Sequence, residues 1–155
     1  MSKAFTKEDG PDAPEIARHR PPLPAGPNYV TSAGLRALRA ELARLDTTPA
    51  EPGARGAAWR AELERRIATA VVASSPSDRE EVRFGARVGI KNADGVTRAL
   101  TIVGVDEADA SVGRIAFVAP VARALLGRRL GDIVSIRSPS GEDEVEIVSV
   151  LYADP

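Results

Sequence analysis

The stretch VRFGARVGI, residues 82–90, decides how this chain is read. Val82, Phe84, Ala86, Val88 and Ile90 are apolar, and the positions between them are charged or glycine. An apolar period of two is that of a strand with one buried face. The segments after it keep to strand lengths. Asn92-Ala93-Asp94-Gly95 is a turn, and Val96, Arg98, Leu100 and Ile102 continue in strand spacing. An acidic loop, Asp106-Glu107-Ala108-Asp109, precedes a strand at 114–118. Pro120 sits where the first turn of a helix accepts it, Val121–Leu126 is that short helix, and Gly127 is its C′ residue. Strands at 133–137 and 145–151 join through Ser138-Pro139-Ser140-Gly141. About five strands with one helix after the third predict an α+β fold with an antiparallel sheet.

Upstream of the hinge-like Ser74-Ser75-Pro76-Ser77-Asp78 the period is different. Leu35, Leu38, Leu42 and Leu45 are spaced as one seam of a helix of about four turns, with Thr31 or Ser32 as N-cap. Two prolines and a glycine between Asp46 and Gly53 stop it. A second helix over 57–73, with Trp59, Leu63, Ile67 and Ala70 or Val71 as its seam, pairs with the first as a short antiparallel hairpin. Each seam covers only about two heptads, so the hairpin needs the following domain to brace it. Residues 1–28 hold half of the twelve prolines and few large apolar groups, which predicts a disordered tail or extended arm. The expected division is therefore a tail (1–28), a hairpin (29–75) and a sheet domain (76–155).

Composition removes most chemistries. With 21 basic and 22 acidic residues the net charge is -1, so phosphate neutralisation provides no general pull toward nucleic acid. The absence of cysteine excludes disulfides, thiolate metal sites and thiol catalysis. The single histidine, His19, lies in the proline-rich segment, so a Ser-His-Asp triad has no base on the folded body and zinc has no ligand set. Gly127-Arg128-Arg129-Leu130-Gly131 lacks the length and lysine of a phosphate loop. Asp106, Glu107 and Asp109 lack the spacing of a calcium loop. No apolar run approaches the roughly 20 residues of a membrane span, and the polar N-terminus is unlike a signal peptide. The expectation is a cytoplasmic monomer without cofactor, metal or enzymatic activity of its own.

Four blocks carry a family resemblance: Phe84-Gly85-Ala86; Thr101-Ile102-Val103-Gly104-Val105-Asp106-Glu107-Ala108-Asp109; Ala119-Pro120-Val121-Ala122-Arg123-Ala124-Leu125-Leu126-Gly127; and Ser138-Pro139-Ser140-Gly141-Glu142. In order and spacing they resemble the C-terminal domain of the Gre transcription elongation factors over roughly residues 80–152. Asn28-Tyr29-Val30-Thr31 and the leucine helix resemble the start of a Gre hairpin. The resemblance implies an FKBP-like sheet domain that docks on RNA polymerase, at the β′ rim of the secondary channel, with nucleic acid contacted only indirectly. It assigns docking to Phe117, Val118, Ala119 and Pro120, with Asp106 and Glu107 beside them. Val118 and Ala119 depart from the acid and serine that relatives can carry there. An isomerase reading is opposed by the scarcity of aromatics: the domain has only Phe84, Phe117 and Tyr152.

Gre factors push a long hairpin into the channel, and acids at its tip help the polymerase hold a magnesium ion. The family tip motif, Gly-Asp-Leu-(Ser or Lys)-Glu-Asn-Ala-Glu-Tyr, has no match here, and the tip offers only Asp46 and Glu51. The short hairpin resembles that of the Rnk regulators. Three readings stand together: a polymerase-bound regulator of elongation without full cleavage stimulation, a cleavage factor using Asp46 and Glu51, and an adaptor that does not contact the polymerase.

Overall fold

The structure, a computed structural model, describes residues 20–47 and 54–153. Strand β1 (Asn28–Val30) leads into helix α1 (Ser32–Thr47), helix α2 (Ala54–Thr69) returns, and strand β2 (Ala70–Val72) follows at once. The second helix is therefore shorter at its C-terminus than its seam suggests. Residues 70–72 pair in parallel with β1, Tyr29 opposite Val71 and Val30 opposite Val72. The β-branched pair Val71-Val72 suits that geometry. Asn28 supplies a second reason for the stop. Its buried side-chain amide donates to the carbonyl of Arg66 and to the Thr69 hydroxyl, both at 3.3 Å, which satisfies a carbonyl that the end of α2 leaves open.

The remaining elements are β3 (Ala86–Asn92), β4 (Thr97–Val103), β5 (Arg114–Ala116), α3 (Pro120–Leu125), β6 (Ile133–Ser138) and β7 (Gly141–Tyr152). They form one sheet in the order β5-β4-β3-β7-β6. The α+β class expected from the sequence is what the chain adopts, with one departure in pairing. The contacts β3–β4, β3–β7 and β6–β7 are antiparallel, but β4 and β5 are parallel. Parallel neighbours ordinarily need a crossover of a dozen or more residues. The connection 104–113 is shorter and carries only a 3-10 turn at Ala110–Val112, so it folds back across the end of the sheet toward the hairpin.

The β3–β4 turn forms as its residues suggest. The Asn92 side-chain oxygen accepts from the amides of Asp94 and Val96, at 3.0 and 2.9 Å, and Gly95 takes φ 82°. The core lies between the sheet and α3: Val88, Ile102, Ala122, Leu125 and Ile147 are fully buried. In the hairpin, Leu38 and Leu63 are buried. Among the described residues no helix is long and apolar enough to cross a membrane.

Residues 20–27, expected to belong to a free tail, have no regular secondary structure, yet Arg20 and Pro21 contact the hairpin. The rest of the expected tail up to His19 lies outside the described residues.

The end of the chain's last strand is pinned by Tyr152. Its hydroxyl donates to the carbonyl of Glu81 and accepts from the amide of Arg83 at 2.9 Å. Desolvation by burial raises its pKa above the ordinary value near 10.0. A raised acid favours the protonated form in the folded chain, so this contribution is intact below pH 10 and fades as pH climbs through the folded value. Tyr152→Phe is expected to cost about 1 kcal/mol at neutral pH and to flatten the fall in stability above pH 10, both measured by urea unfolding across pH.

Candidate functional site at the hairpin seam

The connection from β4 to β5 meets the base of the hairpin, and its residue types explain how. Gly104 lets two backbones approach: a Cβ there would lie 2.7 Å from the Tyr29 carbonyl oxygen. Its own amide donates to the Glu107 carboxylate at 3.1 Å, which turns that side chain toward α1. Glu107 then accepts from the Thr31 amide at 3.0 Å and from the Thr31 hydroxyl. Thr31 is the N-cap of α1: its hydroxyl accepts from the Gly34 amide at 3.0 Å, and its carbonyl accepts the Leu35 amide. A carboxylate from the sheet domain thus completes the cap of a hairpin helix, where the helix dipole favours negative charge. Gly34 is buried under that carboxylate and has no room for a side chain.

Asp106 makes the second contact. One of its oxygens accepts from Arg66 at 2.8 Å and from Arg20 at 3.3 Å. The side chains of Arg66 and Asp106 are each 4% exposed. Arg66 also donates from Nε to Glu62 at 2.8 Å and from Nη2 to the Pro21 carbonyl at 2.8 Å. The other Asp106 oxygen is buried and has no hydrogen-bond partner among the described residues. Next to this ionic contact is an aromatic one. Tyr29 of β1 lies 5.8 Å from Phe84 and 5.6 Å edge-on from Phe117, and Phe84 and Phe117 meet edge-on at 5.6 Å. Each such pair adds about 0.5–1.5 kcal/mol beyond its buried area.

These contacts correct the reading of the acidic loop as a steering surface. Asp106 and Glu107 face inward and are occupied by the hairpin. Asp109 is also engaged: the Ser111 hydroxyl at 2.5 Å and the Ser111 amide at 3.0 Å hold its carboxyl below the usual carboxylate value. Phe117 is part-buried in the aromatic trio, Val118 and Ala119 are part-buried, and Pro120 is exposed at the start of α3. At the far end of the hairpin, Asp46 pairs with Arg60 of α2 at 2.5 Å, so it bridges the two helices. Glu51 lies outside the described residues. No cluster of three or more metal-ligating side chains occurs among the described residues.

Arg20 and Arg66 are the functional residues that the helical seams did not reveal. Arg66 had a signal: it follows the seam residue Leu63 by three positions and Glu62 by four, which puts it on the packed flank of α2. Removing Glu107 strips three hydrogen bonds from the seam. Glu107→Ala is expected to cost about 2–3 kcal/mol, and Asp106→Ala, which leaves Arg66 buried without its acid, about 3–5 kcal/mol. Urea unfolding monitored by Trp59 fluorescence checks both. Replacing the pair together, Arg66→Met with Asp106→Leu, is expected to recover most of the second loss.

The family described as "Transcription elongation factor, GreA/GreB, C-term" matches residues 76–152. Transcription elongation factor GreB of Neisseria meningitidis serogroup A is 34% identical over 153 aligned positions, which span 81% of this chain and 94% of that protein. GreB of Pseudomonas aeruginosa is 32% identical over 164 positions, 88% of this chain and 98% of that one. A solved structure of GreA/GreB from Nitrosomonas europaea is 29% identical, covering 80% of this chain and 98% of its own, with a TM-score of 0.46. These relatives overturn the plain expectation of a chain outside enzymatic chemistry: Gre factors stimulate transcript cleavage by RNA polymerase, although the factor itself is not the catalyst. A near-full-length match to GreB, with the C-terminal family pattern over the sheet domain, places this chain in the GreA/GreB family of transcription elongation factors.

Proposed function

We propose that this protein binds RNA polymerase at the β′ rim of the secondary channel and regulates elongation from there, as a cytoplasmic monomer. Residues 76–155 form the docking domain in this reading, and residues 29–75 form the hairpin that enters the channel. The observation that carries it is the seam. Capping by Glu107, the Arg66–Asp106 pair and the aromatic trio tie the hairpin to the sheet, so docking of the sheet would fix where the hairpin points. The docking patch is Phe117-Val118-Ala119-Pro120: the aromatic trio holds Phe117 in place and Pro120 is presented on a rigid helix start, so little conformational freedom is lost on binding. Asp106 and Glu107 contribute by positioning, not by touching the partner.

The hairpin is read as too short for full cleavage stimulation. Its helices are each 16 residues, or about 24 Å at 1.5 Å per residue. The alignment with the Pseudomonas aeruginosa relative runs over 164 positions, more than the 155 residues of this chain, so that relative has residues with no counterpart here. Asp46, the described acid of the tip, is spent on Arg60. Val118→Lys with Pro120→Ala should weaken polymerase binding about tenfold or more, some 1.4 kcal/mol, while lowering the unfolding free energy by less than about 1 kcal/mol. Unchanged affinity would remove the patch. In a stalled elongation complex the protein is expected to give little RNA cleavage. Robust cleavage that disappears with Glu51→Ala would favour the cleavage-factor reading instead.

A further inference from the structure

The segment before β1 borders a cavity that the proposed function does not use. The cavity, about 320 Å³, opens between α1 and the 104–113 connection, and its wall includes Leu38, Glu41, Asp106, Asp109 and Arg114. Arg20 lies at its edge. One guanidinium nitrogen is 2.5 Å from Glu41 of α1, another is 3.3 Å from Asp106 of the sheet domain, and its central carbon stands 5.0 Å from the centre of the Trp59 ring on α2. The Arg20 side chain is 16% exposed and its two acids are 20% and 4% exposed. The next residue, Pro21, gives its carbonyl to Arg66, which itself holds Asp106.

Two carboxylates from different elements and an indole face are a recognition set for a guanidinium. A planar fork can bond both acids while its face lies over the ring, and a lysine ammonium cannot do both at once. The segment before β1, the hairpin and the sheet domain therefore meet on one side chain. We infer that Glu41, Asp106 and Trp59 form a guanidinium-binding site, filled in cis by Arg20 at the edge of this cavity, and that the segment at residues 20–27 is a strap that locks the hairpin against the sheet domain.

The test uses the full chain and its single tryptophan. Arg20→Ala is expected to shift the Trp59 emission, to lower Tm by about 4 °C, and to speed proteolytic cutting at 73–77 several-fold. Adding ethylguanidinium at tens of millimolar should restore the emission and most of the Tm in Arg20→Ala and leave the parent unchanged, while the same concentration of ethylammonium should not. Arg20→Lys should behave as Arg20→Ala. Parent-like emission and Tm in Arg20→Ala would overturn the strap. A loss that ethylguanidinium fails to reverse, or that ethylammonium reverses equally, would overturn the guanidinium site.

Discussion

The N-terminus of α1 cannot complete its own cap. Its first amides need acceptors, and Thr31 satisfies one of them; the charge that finishes the arrangement comes from Glu107, far along the chain on the other side of the hinge. Gly104 and Gly34 exist in this geometry because any side chain at either would occupy the space of that carboxylate or of the Tyr29 backbone. The buried Arg66–Asp106 pair next to it gives direction to the same contact. A buried ion pair is weak evidence of net stability, since desolvation offsets much of the attraction. Its value here is orientational: a two-helix hairpin of this length has a thin apolar seam, and fixed charges at its base set which way it points.

This constraint changes what the acidic loop means. As a string of letters, Asp-Glu-Ala-Asp is a solvated patch that could steer toward a basic partner. In the fold each acid is bound: Asp106 to two arginines, Glu107 to a helix start, and Asp109 to a 3-10 turn. The loop is drawn to the hairpin by topology, because β4 and β5 are parallel and the short 104–113 connection must cross back over the end of the sheet. The fold thus separates an exposed helix start at Pro120 from an interior joint that orients the hairpin.

Much of the fold was legible in the sequence because it depends on local periodicity. The switch from a period of 3.6 to a period of two near Val82, the Asn92–Gly95 turn, and the proline start of α3 all appear at or close to their expected positions. Val82 itself is buried outside a strand, since regular pairing begins only at Ala86. Non-local features were not legible. The capture of Ala70–Val72 by β1 ends a helix that its own seam would continue. The same limit holds at the site. Phe117 and Pro120 could be named from a motif, whereas the hairpin partners of Asp106 and Glu107 are 40 or more positions away and leave no local pattern.

Hairpin and sheet domain form one unit because the acidic loop clasps the hairpin base. A chain without cysteine allows a direct measurement: spin labels at Thr47→Cys and Ser140→Cys, one near the hairpin tip and one on the β6–β7 turn, report the distribution of distances between the two ends. The account predicts a single narrow distribution in the otherwise unchanged chain and a much broader one when Asp106→Asn and Glu107→Gln are combined. Equal widths in the two proteins would contradict it.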